Sequence, residues 1–369
     1  MNPPTGRRAT MADVGRLAGV SSSTVSFVLN ENSGQTISYQ TRQRVLAAVE
    51  TLDYRPNRTA RGLRTQRTAT IGLVTDEIAI EPFVGSIILG AHEAAWADRN
   101  LLLVVNTTRR RRILREVIDE LVDRPVDAIM FVMMDIRRLI VPDALKGVPS
   151  LMVNGFPAGD LLPAVLPDEE SGGRNATDLL LAAGHRKFAY LTGRAGAWAT
   201  RARLRGFRAA LEGAGVKPGD QLVRPGNFQA DSGYELTRRL LTEPDRPTAI
   251  LCGNDRMALG AYLALGEAGI RVPQDMSVVG YDDQVQLAAR MHPPLSTVRV
   301  PHYQMGRWAA RHVVAGSVAD LPRRTFLPCP AVARQSIAAP RATTASRAPA
   351  PSRASAVRLA EGSPNADRP

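Results

Sequence analysis

Apolar residues in the first fifty positions recur at helical spacing. Val14, Leu17 and Ala18 form one apolar face, and Val25, Val28 and Leu29 form a second at i, i+3, i+4. Each run has a start signal, because the hydroxyls of Thr10 and Ser21 can accept from the free backbone N–H groups of a helix start. Gly19 lies between the runs, where a bend often needs positive φ. The pattern predicts two short helices joined by a glycine turn over residues 10–30. From Ser38 a third pattern turns Val45, Leu46, Val49 and Leu52 inward, and a third helix closes a small core that two cannot build. Pro56 in Tyr54-Arg55-Pro56-Asn57 then breaks the chain. The segment after it, residues 58–64, is short, basic and weakly helical.

From Ala69 onward, short apolar runs alternate with longer amphipathic ones. Strands are predicted over Thr70–Thr75, Leu101–Asn106, Ala128–Met133, Ser150–Asn154, Lys187–Thr192, Thr248–Cys252 and Ser277–Tyr281. Helices are predicted over Gly85–Asp98, Ile113–Arg124, Gly172–Ala183, Arg203–Gly213, Gly233–Leu241 and Arg256–Glu267. This alternation argues for parallel sheets with helices on both faces. The count suggests two sheets with a cleft between them, the default place for a small molecule. Residues 338–369 are rich in Pro, Ala, Ser and Arg and bury too little apolar surface to order, so a disordered tail is expected. Residues 1–9 are expected to be disordered as well.

Charge changes the picture of the first helices. Residues 1–67 hold 10 Arg against 4 acidic residues, whereas residues 68–337 hold 32 basic and 29 acidic ones. A small basic domain on a nearly neutral body suits a polyanion partner. The second helix leaves Ser22, Ser23, Ser26 and Phe27 outward, and small polar groups near a helix N-terminus are what a major-groove reader presents. The other reading is an ordinary helical hairpin. Cys252 and Cys329 make no disulfide framework, the five histidines show no metal-ligand spacing, and no apolar run is long enough to span a membrane. A cytoplasmic chain without metal or cofactor is expected. The absence of a phosphate loop, a nucleophile elbow and a metal cluster weighs against an enzyme. A secreted solute-binding protein would need a signal peptide and would have no use for residues 10–66.

The stretches DVGRLAGVSSSTVSFVLN, ISYQTRQRVLAAVETLDYRPN and ARGLR resemble the headpiece of the LacI/GalR family of bacterial transcription regulators. GHRKFAYLTG, RLRGFRAAL, CGNDRMALGAYLAL, SVVGYDD and PPLSTVRVP continue the resemblance to about Ala339. It implies an N-terminal all-α helix-turn-helix headpiece (10–56), a hinge helix (57–66) and an α/β two-lobed core like the periplasmic binding proteins (67–337). The core would consist of Rossmann-like subdomains with parallel sheets. Lobe 1 would span about 68–167 and 296–326, and lobe 2 about 168–295 and 327–337, with crossovers near 167, 295 and 327.

By the same resemblance Ser22, Ser23 and Phe27 occupy base-reading positions, and Thr10, Ser21, Thr24, Ser26, Asn30, Asn57, Arg58 and Arg61 lie near phosphate. Phe27 departs from the family pattern, where Arg is frequent. Its ring can pack on a thymine methyl or against the headpiece itself. Asn30–Ile37 forms a loop about two residues longer than in the lactose repressor. Leu63 matches the leucine that wedges a central base step from the minor groove. A segment this short, with Gly62 in it, lies below the ~12–15 residues at which helices persist alone, so it is expected to fold on DNA.

The resemblance places Phe83, Asp168, Arg203, Phe228, Asn254 and Asp282 in the effector cleft. Each could instead be structural, Asn254 and Asp282 as turn caps. The implied partners are a pseudo-palindromic double-stranded operator, a small-molecule effector, with carbohydrates the family's commonest class and purines the alternative, and a second copy of the chain. No C-terminal leucine heptad is present, which favours a dimer over a tetramer. His185 is expected to fix a turn, and Arg109–Arg112 to be a solvated loop or a second DNA or partner contact.

Overall fold

The computed structural model describes residues 9–29, 37–54, 67–76, 82–124, 126–145, 147–217, 219 and 221–341. Asn30, Asn57, Arg58, Arg61 and Leu63 lie outside these residues, as do the hinge segment, most of the Asn30–Ile37 loop and both expected disordered ends up to residue 8 and from residue 342.

The headpiece is three helices, α1 Met11–Ala18, α2 Ser22–Leu29 and α3 Tyr39–Thr51. Thr10 and Asp13 form a reciprocal capping box at the start of α1, and Gly19 ends it with φ 66°. Ser21 Oγ accepts from Thr24 N at 3.1 Å and opens α2. Ser38 Oγ accepts from Thr41 N at 3.2 Å and opens α3. The core is Val14, Ala18, Val25, Val28, Val45, Ala48 and Tyr54. Two residues expected inward are outward: Leu17 is 53% and Leu46 42% exposed. The inward stripe of α3 runs through 45, 48, 49 and 52, so Leu46 is one step off it. Gly15 is a signal the periodicity does not carry. A Cβ there would lie 2.7 Å from Val20 O, so its absence lets the turn into α2 fold back on α1.

The body carries β1 Thr70–Thr75, β2 Leu101–Asn106, β3 Ala128–Val132, β4 Arg138–Leu139, β5 Ser150–Val153, β6 Phe156–Pro157, β7 Ala164–Pro167, β8 Ala189–Thr192, β9 Leu222–Pro225, β10 Ala249–Cys252, β11 Ser277–Val279, β12 Thr297–Val298, β13 Arg324–Leu327 and β14 Ala331–Val332. Its helices are α4 Pro82–Ala97, α5 Arg111–Asp123, α6 Glu169–Ala182, α7 Trp198–Gly213, α8 Ala230–Leu241, α9 Asp255–Glu267 and α10 His302–Ala315. Lobe 1 is a parallel sheet in the order β13-β7-β5-β3-β1-β2. Ile71, Leu73, Met130, Val132 and Val165 turn one face to α4 and α10, while Ile129, Phe131, Met152 and Leu166 turn the other to α5. Lobe 2 is a parallel sheet in the order β11-β10-β8-β9. Its faces are covered by α8 and α9 on one side and by α6 and α7 on the other. Near-continuous apolar strands such as Ala128–Val132 are what burial on both faces requires.

The chain passes between the lobes at Pro167–Glu169, between Val298 and His302, and between Leu327 and Ala331. The second passage comes later than residue 295, because Val298 and Val300 still pack in the lobe 2 core and β12 pairs with β14. Residues 338–341, expected in the disordered tail, are tied to the body. Ala338 N donates to Ser277 Oγ at 3.0 Å, and Arg341 pairs with Asp275. His185, rather than only fixing a turn, is buried and joins Thr248, Ser277 and Ala338 O.

In three helix pairs of the body, glycine lets one backbone sit on another. A Cβ at Gly306 would lie 1.9 Å from Ile87 O, one at Gly206 1.9 Å from Glu170 O, and one at Gly260 1.9 Å from Ala230 O. Gly306→Leu must force α10 off α4. A loss of about 3 kcal/mol or more is expected in urea unfolding, at or above the usual range for overpacking. Gly266→Ala, where an added Cβ meets nothing within 4 Å, is the control and is expected to gain about 0.5–1 kcal/mol.

Candidate functional site

In lobe 1 the chain order reverses around β1, which lies between β2 and β3. In lobe 2 it reverses around β8, which lies between β9 and β10. Ligands of open parallel sheets bind beyond the carboxyl ends of the strands at such switch points. Loops leaving those ends line a cavity of about 1040 Å³ between the lobes. Lobe 1 supplies Arg109, Met134–Arg138 and Asn154. Lobe 2 supplies Arg194, Trp198, Arg201, Arg203, Asn227–Gln229, Asn254 and Asp282.

The floor is built around Arg203. Its Nε and Nη2 donate to the two carboxylate oxygens of Glu169 at 2.7 and 2.8 Å, and Nη1 donates to Gly253 O at 2.7 Å. The guanidinium lies 3.6 Å from the centre of the Tyr281 ring, and Asp282 Oδ1 is 3.6 Å from Nη2. Burial alone would lower the Arg203 pKa, but Glu169, Tyr281 and Asp282 reverse this and hold it charged. Burial pushes the Asp282 carboxyl up to about 6 against the pull of Arg203, with Glu169 adding to the rise. Phe228 has φ 71° and lays its ring over Gly193, where any Cβ would overlap it. Asn254 caps α9 by accepting from Met257 N at 2.9 Å and donates to Phe228 O at 3.0 Å. One amide hydrogen and one lone pair remain for a ligand. Phe83 stacks on His302 with centroids 4.6 Å apart. Burial and the Arg203 charge push His302 down to about 3, so the wall it forms is neutral.

Five of the six residues expected in the cleft therefore line it: Phe83, Arg203, Phe228, Asn254 and Asp282. Asp168 does not. Its carboxylate accepts from Ser171 N at 3.0 Å as the cap of α6, and its neighbour Glu169 takes the place at the cleft.

A second group at the cleft was not legible as a site. Arg109 belongs to a charge run expected to be solvated or to touch DNA or a partner. Instead, two left-handed residues, Thr108 at φ 48° and Arg109 at φ 60°, turn its side chain into the cleft. There Nη2 donates to Asp135 Oδ2 at 3.0 Å, and Asp76 lies 3.9 Å from Nε. Arg137 Nη2 donates to Asp76 Oδ2 at 2.8 Å. Two contacts bridge the lobes at this side: Arg194 Nη2 to Asp135 Oδ1 at 3.5 Å, and Trp198 edge-on to Phe156 at 5.4 Å.

Behind the floor, buried Asp255 holds the 281–284 loop by accepting from Gln284 N and Thr297 Oγ1, both at 2.7 Å. Burial, then the charge of Asp282, push its carboxyl up to about 8. An unfolded aspartate titrates near about 4, so between about pH 4 and 8 only the folded state keeps the proton. This group therefore favours folding more as pH falls from 8 towards 4. Asp255→Asn mimics the protonated form at every pH. Relative to wild type, its urea stability is expected to be most favourable at about pH 8 and to decline steadily towards about pH 5. A pH-independent difference would contradict the shift.

In the headpiece, Ser22 and Ser23 are exposed, while Thr24, Ser26 and Phe27 are half-buried. The Thr10 hydroxyl donates to Asp13 Oδ2 at 2.6 Å, so it meets a phosphate only by giving up that bond. Ser21 Oγ is shared with Ser23 Oγ at 2.7 Å and Thr24 Oγ1 at 2.9 Å. Among the described residues, no group of three or more His, Cys, Asp or Glu is placed to hold a metal, and no helix is long and apolar enough to cross a membrane.

A helix-turn-helix unit on a two-lobed receptor with a ligand-sized cleft defines a ligand-responsive DNA-binding regulator. Residues 10–57 match the family described as bacterial regulatory proteins, lacI family, and residues 177–337 match the periplasmic binding protein-like domain. The chain is 34% identical to the ribose operon repressor of Escherichia coli strain K12 over 303 residues, covering 82% of this chain and 91% of the relative. It is 34% identical to the HTH-type transcriptional repressor PurR of Photobacterium profundum, covering 82% and 90%. Among solved structures, the lac repressor dimer bound to operator and the anti-inducer ONPF superposes with a TM-score of 0.72 at 29% identity, covering 90% of this chain and 100% of that one. A complex of the transcriptional regulator CelR with cellobiose gives 0.61 at 34% identity, covering 89% and 100%. The chain belongs to the lacI family of bacterial regulatory proteins: it is a DNA-binding transcriptional regulator and not an enzyme.

Proposed function

We propose that the chain is a cytoplasmic, nucleoid-associated repressor that grips a pseudo-palindromic operator as a homodimer and loses or gains affinity when a carbohydrate enters the cleft. The observation that carries this reading is the floor of the cleft. Asp282, the remaining capacity of Asn254 and the Arg203 fork offer acceptors and donors for vicinal hydroxyls, and the Phe83 and Phe228 rings offer apolar faces for a sugar ring. Solved relatives include complexes with cellobiose and with ribose. On the DNA side, Ser22, Ser23 and Phe27 read base edges. Thr10, Ser21, Thr24, Ser26, Asn30, Asn57, Arg58 and Arg61 contact phosphate, and Leu63 wedges the central step. Exposed apolar side chains on lobe 1 support the homodimer: Leu89 and Trp96 on α4 and Leu101 and Leu103 on the edge strand β2 are 41–55% exposed.

Selection of bound sequences from random duplex DNA by the full-length chain tests the operator reading. A palindrome whose half-sites lie about one helical turn apart is expected. Enrichment of a single asymmetric site, or of nothing, would contradict it.

A further inference from the structure

The cleft carries more positive charge than a carbohydrate floor needs. Eight of its lining side chains are arginine and three are acidic. Adding the buried Asp76 behind Arg109 and Arg137 still leaves four carboxylates against eight guanidinium groups. Arg203 is committed to Glu169, on the floor. The excess lies on the other side, where Arg109, Arg137 and Arg194 gather around Asp76 and Asp135. Arg138 and Arg201 line the same cavity as exposed side chains, and Arg201 spends one nitrogen on Gly196 O at 2.9 Å. The first turn of α7, a 16-residue helix, also lines the cavity through Trp198 and Ala199, and its cap residue Ala197 supplies no side-chain acceptor. The positive end of that helix dipole adds to the same field. Guanidinium groups gathered this way repel one another, and a cleft lined by one sign concentrates ligands of the other.

We propose that the ligand of this cleft is an anionic carbohydrate. Its ring lies on the Arg203–Asp282–Asn254 floor, and its phosphate or carboxylate group sits among Arg138, Arg194, Arg201 and the start of α7. This rests on the carbohydrate reading and sharpens it: a planar guanidinium fork takes two oxygens of either anion at once.

Calorimetry on the full-length chain tests it with matched probes: ribose and ribose 5-phosphate, glucose and glucose 6-phosphate, glucose and gluconate, with inorganic phosphate alone as control. At least one anionic member is expected to bind tenfold or more tightly than its neutral partner, with affinity falling as salt rises. The phosphate and carboxylate arms show which group is read. Arg138→Gln combined with Arg201→Gln changes exposed residues. It is expected to cost tenfold or more with the anionic probe and less than twofold with a neutral one. A neutral sugar that binds as tightly as its anionic partner overturns the charge proposal and leaves the carbohydrate reading standing. Silence from every sugar, charged or not, overturns both.

Discussion

Arg203→Ala is expected to lose about 3–5 kcal/mol of stability, because it strands a buried carboxylate. Glu169 is 2% exposed, and its two oxygens are held by Arg203 at 2.7 and 2.8 Å. Gly253 O would also lose its donor, and Tyr281 the cation on its ring. Urea unfolding should show the loss, and ligand-dependent change in operator binding should vanish. The double variant Arg203→Met with Glu169→Gln separates the two effects. With Glu169 no longer a charge to strand, and only the more weakly held Asp282 losing its cation, its stability should return to within about 2 kcal/mol of wild type, while the ligand response stays lost. A single variant with wild-type stability and full response would remove Arg203 from both roles. On sequence grounds Arg203 is a ligand contact. The structure gives it a heavier duty, as the strut that joins α6, α7 and the loop after β10.

Removing residues 1–66 is expected to lower affinity for the selected palindrome by about a thousandfold or more, the least that separates specific from non-specific binding. The headpiece core is a cluster of its own, centred on Val14, Val25 and Val45, while the body keeps four others. The shortened chain should therefore fold, and calorimetry should find its cleft binding ligand as before. Fluorescence anisotropy on labelled palindrome measures the DNA loss. Undiminished binding by the shortened chain would place the DNA reader in the body.

The elements were legible where one strong signal governs them. Caps at Thr10, Ser21 and Ser38 and the left-handed Gly19 follow from hydroxyl and glycine chemistry next to an apolar period. Thr70–Thr75 falls at the predicted residues because an apolar run of that length suits a strand covered on both faces, and Leu101–Asn106 falls there as an apolar run although it is an edge strand with Leu101 and Leu103 exposed. β7, β9 and β13 were missed. Leu222–Pro225 and Arg324–Leu327 are edge strands with proline, arginine or threonine in them, and their pairing is set by neighbours far along the chain. α10 was missed too. Its apolar face is Met305, Ala309, Ala310 and Val313 among arginines and histidines, and it is fixed by the glycine contact with α4.

Within the site, residues matching a family motif were found, and those placed by loop geometry were not. Nothing in RRRR distinguishes Arg109, which a left-handed turn aims at the cleft, from Arg112, which pairs with Glu116 on its own helix. Asp168 and Glu169 are adjacent carboxylates, and only the start of α6 decides that one caps while the other faces Arg203.

The proposed regulation turns on coupling between the cleft and the headpiece. The direct measurement is the affinity of the full-length chain for its selected palindrome, by anisotropy, with and without a saturating cleft ligand identified by calorimetry. A change of about 5-fold or more, in either direction, is expected, matched by an equal change in ligand affinity when DNA is bound. Identical operator affinity in both conditions, with the ligand shown to be bound, would contradict it.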